Sequence, residues 1–271
     1  MPTSWCSIHR VVCSTTMRCD ILTLFPAPVE AYLAVGVVGR AAVSGTLDLR
    51  VHDLRRWAIN RYGQTDDEPY GGGPGMVLLA PVVVRAVRDV QGPGEPGHVV
   101  LPDPRGRPFT DRVARELAAL PRLLFVCGRY EGFDDRVREL IHGDEISLGD
   151  FVLSGGELAA LAMLDALARF LPGVVGDPES VASDSFATGL LDHPVYTRPR
   201  SFEGLEVPEV LVSGHHEEVR RWRLEQAVRV TLRRRPDLLW ENWEQFTDEV
   251  RALVRAQAAA DGIELAPKFE R

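Results

Sequence analysis

Residues 122–132 read RLLFVCGRYEG, an apolar run closed by a glycine and followed by a charged corner between two glycines. A run that is apolar at every position has no outer face, so it suits a strand covered on both sides, as in a parallel sheet. Upstream, DRVARELAAL (111–120) reads as a helix and HVVLPD (98–103) as a strand. Earlier still, VLLAPVVVRAVRDV (77–90) passes from an apolar run into a helix, TLDLRVHDL (46–54) reads as a strand, PVEAYLAVGVVGRAAVSG (28–45) as one helix and CDILTLF (19–25) as the first strand. Downstream comes EISLGDFVLSGGE (145–157), with strand-like Ile146, Leu148, Phe151, Val152 and Leu153 between glycine corners. Ser154 and Glu157 have the spacing of a capping box at the head of the helix ELAALAMLDALARFL (157–171), which Pro172-Gly173 stops. This alternation predicts an α/β domain over 17–176, a mostly parallel sheet with helices on both faces. In such sheets ligands bind beyond the carboxyl ends of the strands.

After Gly176 the rhythm ends. GDPESVASDSFATG is small and polar, and residues 177–190 read as a flexible linker. Residues 191–271 carry two helical segments, EEVRRWRLEQAVRVTLRRRPDLLW (217–240) and ENWEQFTDEVRALVRAQAAA (241–260), and read as a helical C-terminal domain. Residues 1–16 read as a disordered extension, or as a start mis-assigned upstream of Met17, since they lack a signal peptide's apolar centre.

The chain has 271 residues, 45% hydrophobic and 26% charged, which suits a soluble globular protein; no apolar run reaches transmembrane length. The four cysteines form no C-x-x-C pair, so neither a zinc site nor a disulfide framework is indicated, and the cytoplasm is the expected compartment. A net charge of −8 argues against non-specific coating of nucleic acid. Lys268 is the single lysine, so no Walker A loop exists; G-x-G-x-x-G after the first strand, G-x-S-x-G and H-E-x-x-H are also missing. What remains is a set of glycine-bearing loops: DDEPYGGGPGM (66–76), LPDPRG (101–106), CGRYEGFDDRV (127–137) and SLGDFVLSGGE (147–157). Each alone is a turn. Together at one sheet edge they offer bare backbone to a flat heterocycle.

GGGPGM, GRYEG, SLGDFVLSGGE and DSFATGLLDHPVYTRP, in this order, resemble the bacterial tRNA (guanine-N1) methyltransferases of the SPOUT class, over residues 19–239. The resemblance implies a trefoil knot made by the loops around Gly128 and residues 149–156. It implies S-adenosylmethionine held by Gly128, Leu148, Gly149, Asp150, Phe151, Val152 and Leu153, with Pro104, Tyr130, Glu131, Gly155 and Gly156 as neighbours. It further implies a homodimer acting on the tRNA anticodon stem-loop, and dependence on Mg2+ for which no ligand is assigned here. Two departures stand out: Asp103, where the family commonly has a small polar residue, and the altered lead-in to Asp184.

The chemistry sets its own demands. Guanine N1 carries a proton, so a base must remove it, and the charge that develops on O6 needs a donor. The resemblance assigns these roles to Asp184 and Arg169. The bland readings are a helix N-cap for Asp184 and an ion pair with Asp165 for Arg169. Asp66 and Asp67 are secondary candidates for reading the base. In the C-terminal domain Leu224, Ala227, Val228 and Thr231 recur at helical spacing and should face a core; Trp222, Gln226, Arg229 and Arg233 form the opposite stripe, either a solvated face or a tRNA-binding one. Two rivals remain: another SPOUT enzyme aimed at a ribose or a different base, and a non-catalytic RNA-binding protein that keeps the knot.

Overall fold

The structure, a computed structural model, describes residues 16–94, 96–176, 181, 183–265 and 269, and the chain divides into two compact units after Gly176. Of the N-terminal extension only Thr16 lies among the described residues, and the linker positions 177–180 and 182 lie outside them.

Unit 1 contains β1 (Met17–Thr23), α1 (Pro26–Leu33), α2 (Gly36–Val43), β2 (Leu47–Asp53), the short pair β3 (Asp66–Asp67) and β4 (Val77–Leu78), α3 (Ala80–Gln91), β5 (His98–Pro108), α4 (Asp111–Ala118), β6 (Arg122–Val126), α5 (Arg136–Ile141), β7 (Asp144–Ser147) and α6 (Glu157–Ala168). Five strands form one sheet in the order β2-β1-β6-β5-β7, every pairing parallel. The apolar run at 123–126 is its centre: Leu123, Leu124, Phe125 and Val126 are all 0% exposed. Leu123 and Phe125 face one core, shared with Ala160, Met163 and Leu164 of α6; Leu124 and Val126 face another, shared with Val83, Ala86 and Val87 of α3. Alternate residues of one strand thus fill two cores, which is why residues 123–126 include no polar side chain.

Three local readings need correction. The segment 28–45 is two helices, because Val35 is extended (φ −121, ψ 168) and separates α1 from α2. The strand-like run at 146–153 is a strand only to Ser147; Phe151 and Val152 are exposed, at 55% and 85%, in the loop that follows. The capping box does not form. Gly156 caps α6 without a side-chain bond, because the Glu157 carboxylate is drawn inward to Thr23 and Arg129.

Unit 2 holds a small hairpin, β8 (Ser201–Phe202) with β9 (Leu205–Glu206), and the helices α7 (His216–Arg234), α8 (Pro236–Glu241) and α9 (Asp248–Asp261). Its core joins Val228 and Leu232 of α7 to Leu239, Trp243, Phe246 and Val254. Ala227, Val228 and Thr231 are buried and Leu224 packs on them, the face that the helical spacing selects. Thr247 caps α9, accepting from the Val250 N–H at 3.3 Å. Among the described residues no helix is long and apolar enough to cross a membrane.

Candidate functional site

Beyond the carboxyl ends of β5, β6 and β7, unit 1 encloses a cavity of about 450 Å³. This is the sheet edge where ligands bind in open α/β folds, and the volume lies within the ~300–1,000 Å³ of small-molecule sites. Three of the glycine-bearing loops converge there. Of the expected cofactor residues, Pro104, Gly128, Tyr130, Glu131, Leu148, Phe151, Val152, Leu153, Gly155 and Gly156 line the cavity; Gly149 and Asp150 stand in the same loop outside its lining.

The first wall is an excursion within β5. Pro102 and Arg107 both pair with Ile146, so residues 103–106 leave the ladder and stand over the cavity. Gly106 is forced by this geometry, because a Cβ there would overlap the Glu145 carbonyl and the Ile146 nitrogen. Asp103, the departure noted in the sequence, is pinned by the Arg138 guanidinium and by the Arg105 N–H at 2.9 Å. Burial works to raise the Asp103 carboxyl, but the hydrogen bonds from Arg105 and Arg138 outweigh it and hold the group below the usual carboxylate range. Asp103 is therefore an ionised part of a charged rim that includes Arg105, Asp135 and Arg138.

The second wall is the corner after β6, which meets the loop before α6. The Gly156 N–H donates to the Gly128 carbonyl at 2.8 Å, and Arg129 bridges Gly155 in antiparallel fashion. The contact leaves little room for a side chain: a Cβ on Gly156 would sit 3.0 Å from Cys127 Cα and 3.1 Å from Gly128 N. Arg129 locks the junction. Its Nε lies 3.1 Å from Glu157 Oε2, its Nη1 donates to the Ser154 carbonyl at 3.1 Å, and its guanidinium covers the Phe25 ring at 4.4 Å. Glu157 also accepts from the Thr23 hydroxyl at 2.7 Å, so β1, the corner after β6 and α6 meet at one largely buried ion pair. The sequence shows Arg129 inside GRYEG, yet its partner is distant in the chain and only the fold reveals it.

Tyr130, half-exposed, adopts φ +58, an unusual conformation for a residue with a side chain. The GGGPGM loop buttresses this corner: the Glu131 N–H donates to the Met76 carbonyl at 3.0 Å, and Leu78 exchanges bonds with Gly132 and Asp134 at 3.0 Å each. Asp66 and Asp67 lie on β3 beside Leu78 and Val77.

The catalytic candidates occupy different places. Arg169, half-buried, follows α6 at the end away from Gly156, and the 12 residues of that helix span about 18 Å. Asp165 faces the Tyr32 hydroxyl; burial first, then this carboxylate, pushes the Tyr32 phenol up. Asp184 belongs to unit 2, in a chain of turns rather than at the head of a helix: its carbonyl accepts from Ala187, and Phe186 donates to Leu190 at 2.7 Å. Ser185 and Thr231 bind the backbone of Asp192 and Leu191, tying residues 183–190 to α7. On α7, Trp222 packs near His193 and Tyr196, while Arg233 is engaged by both oxygens of Asp261 at 2.8 and 2.9 Å. Arg229 is half-buried on the same helix. Among the described residues no group of three or more His, Cys, Asp or Glu side chains is arranged to hold a metal ion.

The family profile for tRNA (Guanine-1)-methyltransferase TrmD matches residues 17–241. The tRNA (guanine-N(1)-)-methyltransferase of Chloroflexus aggregans is 53% identical over 224 residues, covering 82% of this chain and 88% of the relative. Its counterpart in Geobacter metallireducens is 48% identical over 90% of this chain and 99% of the relative, and that of Frankia alni 49% identical over 94% and 98%.

Proposed function

We propose, since this chain belongs to the tRNA (guanine-1)-methyltransferase family, that it methylates N1 of the guanosine just 3′ of the anticodon (position 37), with Asp184 as base and Arg169 as the O6 stabiliser. Methyl transfer to a guanine N1 of tRNA is the activity of the family. The target position, the cofactor's seat and the residue roles are our reading. One observation carries it: the LPDPRG, GRYEG and SGGE loops meet around a single cavity, with Gly128, Gly132, Gly155 and Gly156 in its lining.

That cavity suits S-adenosylmethionine. Its lining includes Gly128, Gly132, Gly155 and Gly156, residues that let a ligand approach the main chain closely, which matches a ligand read by its adenine edge. When bound, the cofactor supplies an electrophilic methyl group on a sulfonium. The remaining work falls to the chain. The Asp184 carboxylate takes the N1 proton, leaving negative charge shared between N1 and O6; the Arg169 guanidinium donates to O6 as that charge grows. A positioned base contributes roughly 10²–10⁴ in rate, and one donor at a developing oxyanion about 10²–10³. The charged rim at Asp103 and Arg138 fixes the outer wall. The family reading also brings the trefoil knot, whose crossing is supported by the Gly128–Gly156 contact, and a homodimer in which one copy's Asp184 serves the other's cavity. Work on tRNA places the enzyme in the cytoplasm. Mg2+ is ordinarily held by one or two carboxylates together with substrate phosphates; the described residues offer no protein cage, and no step here passes through it.

Incubation with methyl-labelled S-adenosylmethionine and tRNA transcripts bearing G or A at position 37, followed by mapping of the labelled atom, tests the reading. Label on N1 of G37 alone is expected. Label on a ribose, equal label on A37, or none would overturn it.

A further inference from the structure

Unit 2 has a cavity of its own, about 440 Å³, lined by His193, Tyr196, Arg198, Arg200, Leu211 and Arg223 among others. Two kinds of group meet there. The His193 and Tyr196 rings lie 6.4 and 6.3 Å from the Trp222 ring, and Tyr196 is 50% exposed. Around them stand three arginines, two of which make no ion pair; of the other exposed arginines of unit 2 only Arg234 is likewise without one among the described residues. Elsewhere on unit 2 Arg220 pairs with Glu217, Arg221 with Glu225, Arg233 with Asp261 and Arg235 with Asp237; at the cavity Arg200 pairs with Glu209. Arg198 and Arg223 make no ion pair with any described residue, and both are exposed. In a chain of net charge −8, two uncompensated guanidiniums beside the exposed Tyr196 ring form a local anion site against an unfavourable overall field.

A simple anion would need the arginines but not the rings, and an apolar partner the reverse. A nucleotide needs both: a flat base to stack and a phosphate for a guanidinium fork. We propose that this cleft seats one nucleotide of the tRNA substrate outside the methylation site, its base against Tyr196 and its flanking phosphates on Arg198 and Arg223. The assignment rests on the tRNA reading above.

Binding of a full-length tRNA transcript by the intact protein, followed by fluorescence anisotropy over a KCl series, tests it. Each single-strand phosphate contact contributes about 0.7 to the slope of log K against log salt. The Arg198→Ala/Arg223→Ala pair should flatten that slope by about 1.4, twice this amount. Tyr196→Ala should weaken binding roughly tenfold, with Tyr196→Phe restoring it, as stacking rather than the hydroxyl requires. Cofactor affinity in the same variants, read by calorimetry, serves as the check that the chain is folded. Unchanged slope and affinity in folded variants would overturn the cleft, even if wild type methylates N1. The stated losses in a protein that transfers no methyl would support the cleft and overturn the catalytic reading instead.

Discussion

The cavity of unit 1 and the cleft of unit 2 are nearly equal in volume, about 450 and about 440 Å³, yet they are built from different parts of the chain. In unit 1 the lining includes Gly128, Gly132, Gly155 and Gly156, with Gly156 close against the main chain of Cys127 and Gly128, and the one arginine at that junction is spent on a buried carboxylate. In unit 2 the lining holds no glycine; it carries the His193 and Tyr196 rings and three arginines, of which Arg198 and Arg223 make no ion pair with any described residue. A main-chain site has its shape fixed before any ligand arrives, so it suits a constant cofactor and fails sharply when a glycine changes. A side-chain site loses strength contact by contact, which suits a large, flexible polyanion.

The largest effect expected from breaking this contrast is catalytic. Asp184→Asn removes a proton acceptor while keeping the shape of its turn, so turnover should fall by roughly 10²-fold or more. Cofactor affinity should stay at the wild-type value, because the cavity proposed for the cofactor is lined by unit 1 residues alone. Single-turnover kinetics with equilibrium dialysis separates the two; near-normal turnover would dismiss Asp184 as the base.

Next comes the main-chain site. Gly156→Ala drives a methyl toward Cys127 Cα and Gly128 N, atoms that cannot move without shifting β6. Cofactor affinity should drop by about tenfold or more, as a wall built at van der Waals contact has no slack. The same exchange at Gly204, in the exposed hairpin of unit 2, meets no atom within 4 Å; its φ of +80 makes the change strain the hairpin turn, but cofactor binding should be left alone. Equal losses at both glycines would erase the contrast.

Glu157→Gln probes the lock. Removing one partner of a buried ion pair costs about 3–5 kcal/mol when both groups are fully buried. The Arg129 side chain is 25% exposed, so about 2 kcal/mol is the better expectation here. Urea unfolding measures that loss, and a parallel rise in cofactor KM, reversed in part by the acid Glu157→Asp, would show that the pair positions the GRYEG corner.

Much of unit 1 could be read from the chain because its central strand obeys one local rule: residues 123–126, which face two cores, are all apolar. The rule fails where a side chain answers to a distant partner. Glu157 has a capping box's spacing, but Thr23 and Arg129, far away in sequence, compete for its carboxylate and win. The excursion at 103–106 looks like a loop ending a strand, whereas β5 resumes at Arg107 against the same Ile146, a register known only from the pairing. In unit 2 the run HPVYTRPR carries interleaved rings and arginines within a few residues, a visible signal. What the sequence hides is which arginines are already neutralised.

That last point sets the smallest prediction. By spacing alone Arg233 is as good a phosphate ligand as Arg223, since both lie on α7 with charged neighbours. The fold separates them. Both oxygens of Asp261 hold the Arg233 fork, and that hydrogen bonding, ahead of the Coulomb attraction, raises its pKa further. A phosphate approaching Arg233 must displace a carboxylate already in place, whereas Arg223 has none to give up among the described residues. Arg233→Ala should therefore change the salt slope of tRNA binding by well under the ~0.7 of one phosphate contact, and Asp261→Asn, by releasing the guanidinium, should steepen it. If Arg233→Ala instead flattens the slope as much as Arg223→Ala does, neutralisation within the fold is not what selects the arginines that meet RNA.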